Sequence, residues 1–465
     1  MEDMASATRR SKTRKKAISQ ALAVGILAII LVGSISAIVF LNRVSRSVMT
    51  SATTTTQSSL ITSTATEGSS TSAFFTLTSS TSTPFKIQQY DTAVPATYQQ
   101  TYTQLSQSLE GFDLTLNSSG PFQAHPITFG TELLAANDNR GSALLAPGVL
   151  KAVNVSLDAL QALGVDGVTI ALQYPLFTPS FPNYTQYHAF YVQVAQMVHA
   201  RGMKLDIEAH VLFANSPFSP VKFNYSSVPY SKYVTLQTQM DQTIINDLHP
   251  DWIDIGVEPD TWYFITGYSQ LSTPSGWNDF VESIVGNLSN GSTTIAAGAA
   301  AWDGPQWLQG YVSDPRIDVI TTHIYPIYGN NFQNLIKIAQ TAQQNHKRLI
   351  IDEMWETKSV GNEAGYGSIA ADVNIYRRDV YGFWSPVDEQ FIKEMVKFAE
   401  LYPVDYISPY WSWYFFGYLN YSASSESLTW AQITSMLNQQ AAQNILNGAV
   451  SPTGAYYGQI IRQYG

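Results

Sequence analysis

Residues 251–262, DWIDIGVEPDTW, and residues 348–357, RLIIDEMWET, decide how this chain is read. Each is a short apolar run that ends in an acidic residue and passes into a loop crowded with aromatics. Glu258 and Glu353 stand at those two ends, 95 positions apart. A run apolar throughout, rather than alternating, predicts a strand buried on both faces, as in a parallel sheet covered by helices.

Working outward, six more such runs flank these two. They are PITFGTELL (126–134), VDGVTIALQYPLF (165–177), MKLDIEAHVLF (203–213), TTIAAGAAAW (293–302), IDVITTHIYPIY (317–328) and VDYISPYWSWYFFG (404–417). Helix-period stretches separate them, among them 149–164, 187–202 and 389–403. In the last, Phe391, Met395, Phe398 and Ala399 share one face. Eight strand–helix units over about 330 residues predict a (β/α)8 TIM barrel with insertions. The competing fold is a doubly wound open sheet, and no Gly-rich phosphate loop follows the first strand to support it. Residues 86–126 are expected to form a helix and lead-in against the barrel. Residues 429–446 should be the last barrel helix, with the tail 451–465 packing back.

The N-terminal part divides differently. Residues 1–17 are a basic leader segment, and 18–41, ISQALAVGILAIILVGSISAIVFL, are uncharged and mostly apolar. A helix of that length crosses a hydrocarbon core of about 30 Å, and the preceding RRSKTRKK keeps the N-terminus cytoplasmic. The alternative, a secretory signal peptide, has an apolar region of only about 7–15 residues. Residues 42–84 are a linker, and 23 of the 35 positions from 50 to 84 are Ser or Thr. Such a composition cannot bury a core, so a flexible stalk is expected. The globular domain is then 85–465, outside the cell and anchored in the membrane, or secreted after processing. Seven sequons (Asn117, Asn154, Asn183, Asn224, Asn287, Asn290 and Asn420) make it a candidate glycoprotein.

Composition narrows the chemistry. There is no cysteine, so no thiolate metal site, disulfide or Cys nucleophile exists. The first 50 residues carry 8 basic and 2 acidic side chains, and the remainder 17 and 33. An acidic globular part argues against a nucleic-acid partner. Only 13% of residues are charged, a balance that suits a surface soluble even in acid. No HExxH occurs, and no GxSxG sits between a strand and a helix, which disfavours a peptidase.

In a barrel, residues at the C-terminal strand ends share one mouth. In chain order these are Glu132, Gln173, Glu208, His210, Glu258, Asp260, Trp302, Asp303, His323, Tyr325, Glu353, Glu356, Trp411 and Trp413. Carboxylates on strands four and seven lie across that mouth. Retaining glycoside hydrolysis needs two carboxyls about 5–5.5 Å apart, one a proton donor and one a nucleophile. Asp260, Asp352 and Glu356 compete for these roles, because a register slip of one residue reverses which side chain faces inward. Asp352 is better read as bracing a loop. His210 and His323 could hold a metal, but hydrogen bonding to sugar or carboxylate suits their spacing better. Most aromatics belong to the core. Trp262, Tyr263, Trp302, Trp355, Trp411 and Trp413 adjoin strand ends and are candidates for packing on pyranose faces. The stretch YGFWSP, 381–386, could form a lid or a subsite wall.

On these residues the chain resembles glycoside hydrolase clan A, the superfamily of retaining (β/α)8 enzymes that includes many cellulases, mannanases and galactanases. The resemblance covers about residues 127–440. It implies that Glu258 in GVEPD is the acid/base and Glu353 in IDEMW the nucleophile. It further implies that His210, Tyr325 in HIYP and Trp411 or Trp413 contact the sugar, and that no cofactor is needed. His323 joins the expected sugar-binding residues on its own position at a strand end. Two positions depart from the pattern. Val257 stands where the clan has an Asn that bonds the sugar 2-hydroxyl, and Gln173 with Tyr174 stand where several families have an Arg. The segment KKAIS (15–19) is similar to the class III signal of archaeal pilin-like and sugar-binding surface proteins, which implies cleavage at Lys16–Ala17. The expected function is a cell-surface retaining endo-β-glycanase acting on polysaccharide. The alternative is a non-catalytic sugar-binding protein on the same barrel.

Overall fold

The computed structural model describes residues 85–122, 125–325, 327–361, 363 and 373–465. The predicted leader, membrane span, cleavage point and Ser/Thr stalk lie outside them. Among the described residues no helix is long and apolar enough to cross a membrane.

All eight predicted runs contain strands, each shorter than its run. They are β1 (Thr128–Phe129), β2 (Gly167–Ala171), β3 (Lys204–Glu208), β4 (Trp252–Asp254), β5 (Thr294–Gly298), β6 (Val319–Ile324), β7 (Arg348–Met354) and β8 (Val404–Pro409). Every neighbouring pair is parallel. The sheet closes between β1 and β2. Leu133 N donates to Thr169 O at 2.8 Å, and Asp166 N donates to Phe129 O at 2.8 Å. A closed ring leaves no sheet edge, which excludes the open doubly wound sheet.

Helices α2 (Val149–Leu163), α3 (Tyr184–His199), α4 (Tyr230–Leu248), α6 (Pro274–Val285), α7 (Asn331–Gln344), α8 (Ser385–Leu401) and α9 (Trp430–Leu446) cover the ring. A short α5 (Pro259–Thr266) interrupts the β4 crossover, and β5 is followed only by a 3-10 turn, Pro305–Leu308. The lead-in helix α1 (Gln99–Ser118) lies on the side of the barrel. Its buried Leu105, Leu109, Phe112 and Leu116 form one stripe, and Phe112 stacks on Phe332 at 3.8 Å between centroids. The tail forms α10 (Pro452–Tyr464), which packs against α8 and α2.

The barrel interior is layered. At the bottom Trp252, Ala296, Val319, Ile350 and Tyr406 form a separate apolar cluster, with Trp252 stacked on Tyr406 at 5.2 Å. Gly130 makes room for that plug, since a Cβ there would lie 2.1 Å from the Tyr406 hydroxyl oxygen. Above it lies a polar layer in which Thr169 Oγ1 meets Tyr406 Oη and Ser408 Oγ, each at 2.9 Å. Asp206 and Asp352 belong to the same fully buried region. Polarity therefore rises toward the C-terminal strand ends, where the site sits.

Candidate active site

A cavity of about 840 Å³ opens at the C-terminal ends of the strands. His210, Glu258, Asp260, Trp262, Trp302, Tyr325, Glu353, Trp411 and Trp413 line it, as expected from the sequence. Asn137, Phe218, Tyr376, Tyr410 and Trp430 line it as well, and sequence reasoning did not single these out. Tyr410 had a signal, because it directly precedes Trp411 at the end of β8. Phe218 comes from a loop, Tyr376 from the end of a short helix, Val373–Tyr376, and Trp430 from a helix start, where no local pattern marks them.

Glu258 is held by backbone geometry. It is the residue before α5, with Pro259 at the first helical position, and its φ of 54° and ψ of 58° are left-handed. A non-Gly residue there costs about 1–3 kcal/mol and is kept only where its surroundings fix it, commonly at active sites. Trp262 N donates to Glu258 O at 3.1 Å, which ties this turn to the helix.

Glu353 is aimed by a sheet irregularity. Thr321 pairs with Ile350, but His323 pairs with Glu353, so β7 carries one extra residue there. A second shift separates Ile351 from Met354 along β8. Such a bulge re-aims side chains, and here both Asp352 and Glu353 approach His323. Asp352 therefore does not brace a loop. It lies fully buried in the barrel, 3.3 Å from His323 Nε2, and accepts from Thr321 Oγ1.

The imidazole of His323 joins the two key acids. Its Nδ1 is 2.8 Å from Glu258 Oε1 and 3.6 Å from Glu353 Oε2. Those oxygens can be no farther apart than the two lengths end to end, which is compatible with the spacing of a retaining pair. Tyr325 donates its hydroxyl to Glu353 Oε2, and His210 pairs through Nε2 with Asp254. Trp302 Nε1 donates to Asp260 Oδ1 at 3.1 Å. Trp411 and Trp413 stack at 5.1 Å and 13°.

Burial and charge set the protonation states. Burial pushes the Glu258 carboxyl up, but the hydrogen bond and charge of His323, with His210, bring it below its ordinary value. Burial pushes Glu353 up, and His323, Glu208 and Tyr325 offset this only in part. For His323, burial opposes the charge, yet Glu353, Asp352 and Glu258 together raise it well above its ordinary value. Burial and its neighbours Glu353 and Glu132 hold Glu208 well above the carboxylate range. Burial raises Asp260 to about 6.

Donor atoms crowd closely in three groups: His210, Asp254 and His323; Glu208, His323 and Glu353; and Asp206, Glu208 and Asp352. Within each they lie within 4.8 Å of one another. A divalent cation would find ligand atoms here. Protons account for the same crowding, because both imidazoles already pair with carboxylates and the raised carboxyls stay neutral.

Four expectations need correction. Trp355 does not reach the cavity; it is fully buried and stacks on Tyr414 at 5.6 Å, with Lys358 Nζ 5.5 Å from its ring centre. His323 is only 1% exposed and sits behind the carboxyls instead of on the wall. Glu356 turns away from the mouth into an ion pair with Lys358 at 2.5 Å. The stretch 381–386 is no lid, because Tyr381, Phe383 and Trp384 are core residues packed near Tyr98. Trp262 touches the cavity, but most of its ring packs on Trp277 and Phe280.

No protein-family model and no curated protein matches the sequence. Among solved structures the chain is similar to an exo-β-1,4-mannosidase from Opitutaceae bacterium strain TAV5. The identity is 16% over 74% of this chain and 61% of that one, with a TM-score of 0.47. It is also similar to GH5_18 from Bifidobacterium longum subsp. longum (12% identity, 73% and 80% of the two chains, TM-score 0.48). A modular endo-β-1,4-mannanase from Cellulomonas fimi follows at 13% identity, 66% and 68% coverage and a TM-score of 0.39. The chain thus spans about three-fifths of the mannosidase's length. The barrel stands on the strand pairing of this chain, and the site on its own geometry.

Proposed function

We propose that this protein is a retaining glycoside hydrolase that cleaves β-linked polysaccharide, displayed at the cell surface by its N-terminal segment. The observation that carries the reading is the pair Glu258 and Glu353, both reaching His323 Nδ1 at the floor of an aromatic-walled cavity.

In the double displacement, the Glu353 carboxylate attacks the anomeric carbon while Glu258 protonates the departing glycosidic oxygen. Water then attacks the glycosyl–enzyme bond, Glu258 takes its proton, and Glu353 is released. The resting charges run the other way, with Glu258 lowered and Glu353 raised. One proton exchange across His323 corrects this: Nδ1–H passes to Glu258 and the ring regains a proton from Glu353. The result is neutral Glu258, ionised Glu353 and an unchanged imidazolium. Tyr325, held well above its ordinary pKa by burial, keeps its proton and donates it toward the Glu353 carboxylate. The Trp411–Trp413 pair offers flat apolar area for a pyranose face.

One observation favours the non-catalytic alternative. Val257 is fully buried and offers no donor to a 2-hydroxyl. Asn137, Asn139 and Gln173 line the cavity and supply amide donors instead. The test is sugar release by the full-length protein from β-glucan, mannan, xylan and galactan, beside Glu353→Gln and Glu258→Gln. Release by the wild type that disappears in Glu353→Gln is expected. Retention of a polymer without release from any of them would make the protein a sugar binder.

A further inference from the structure

The cavity has a second chemical character, away from its acids. Arg140, in the loop after β1, and Lys222, in the loop after β3, both line it. Their loops meet: a Cβ on Gly141 would lie 2.7 Å from Val221 Cγ2, so the neighbours of the two cations are in contact. Asn139 strengthens the junction, donating to Gln173 Oε1 and accepting from Phe213 N, each at 3.3 Å.

Neither cation has a carboxylate partner among the described residues, although acids outnumber bases almost two to one beyond residue 50. Arg201, Arg316, Arg348 and Arg378 all have one. Arg140 Nε is buried without a hydrogen-bond partner, and burial lowers the pKa of its guanidinium. The adjacent Asp138 does not compensate it. That side chain turns inward to accept from Gln173 N at 2.5 Å, and burial keeps it well above the carboxylate range. A buried Nε without an acceptor costs stability, and the planar guanidinium fork of Arg140, which lines the cavity, matches a carboxylate or sulfate.

We infer that Arg140 and Lys222 form a subsite for an anionic substituent of the glycan, a carboxylate or sulfate ester on a sugar unit bound away from the scissile bond. This rests on the reading of the cavity as a sugar site, and it makes the preferred substrate an acidic polysaccharide.

The experiment is calorimetric binding to the full-length protein of three probes: methyl β-glucuronide, methyl β-glucoside 6-sulfate and neutral methyl β-glucoside. At least one anionic probe should bind about tenfold or more tighter than the neutral one. Arg140→Met should remove that advantage and leave neutral binding unchanged. Arg140→Lys should retain part of it, and Lys222→Ala should weaken anion binding by about two- to fivefold. Below about pH 4 the advantage should fade for the glucuronide and persist for the sulfate, which separates the two sources. Equal affinity for all three probes, no binding of any, or an anion advantage that survives Arg140→Met overturns the inference. If Arg140→Met does not fold, Lys222→Glu on the exposed side chain decides, and unchanged anion affinity overturns the inference. Binding requires no turnover. Anion-selective binding without sugar release defeats only the hydrolase, and hydrolysis without anion preference defeats only the subsite.

Discussion

His323 is where the chemistry of this site concentrates. Its ring is buried, yet it faces Glu258 and Glu353 on one nitrogen and Asp352 on the other. Removing it leaves Glu258 and Glu353 without the imidazole both approach and, in the proposed mechanism, without a route for the proton between them. On the proposed hydrolase reading, His323→Gln is expected to lower kcat by about 100-fold or more with a smaller change in KM, measured on the polymer that gives sugar release in the test above. Tyr325→Phe tests the other contact on Glu353. It removes one donor to the carboxylate and should lower kcat by about tenfold or more, with the acid limb of the pH–rate profile moving to higher pH. At this scale much was legible. Glu258, Glu353, His210, Trp302, Tyr325, Trp411 and Trp413 all reach the cavity, because the end of an apolar run marks a strand end whatever the partner strands are.

At the scale of elements, β7 and the loop after it are the informative pieces. The bulge turns both Asp352 and Glu353 toward His323, which alternation along a regular strand forbids. The next residues go the other way, into a buried cluster where Lys358 pairs with Glu356 and Asp388 and Tyr418 donates to Asp388. Trp355 packs against the same lysine. Lys358→Met should strand two buried acids and cost about 3–5 kcal/mol in stability, read from urea unfolding. At the barrel bottom, Gly130→Ala would drive a methyl into the Tyr406 ring. A loss of about 1–3 kcal/mol is expected from that overpacking, with little change in activity if the protein stays folded at the assay temperature.

The whole molecule is built around protonated acids. Burial raises Glu132, Asp138, Asp206, Glu208, Asp241 and Asp303 well above the carboxylate range, Asp260 to about 6, Glu394 to about 7 and Asp379 to about 8. A group raised in the fold binds its proton more tightly there than in the unfolded chain. Between about pH 4 and each raised value the native state holds more protons, so stability falls as pH rises. His323, also raised, acts with the same sign. Glu258, Asp113, Asp314 and Glu363 are lowered and oppose it, losing their contribution only as pH falls through their own depressed values. The melting temperature should therefore be highest near pH 4 and decline through neutrality, measured by calorimetry from about pH 3 to about pH 9. A flat or rising profile would contradict the assignment of protons to these buried carboxyls.

Local pattern determined the eight strands, most of the helices between them and the two acids at strand ends, because hydrophobic periodicity and strand termination are properties of neighbouring residues. Closure of the ring, the bulge in β7 and the placement of His323 between carboxyls 65 and 30 positions away were decided only in three dimensions. So were the burial of Trp355, the core role of residues 381–386 and the meeting of the two loops that carry Arg140 and Lys222. The physical reason is the same for each. A side chain's direction and its charge state depend on partners brought close by folding, and no short window of sequence contains both members of such a pair.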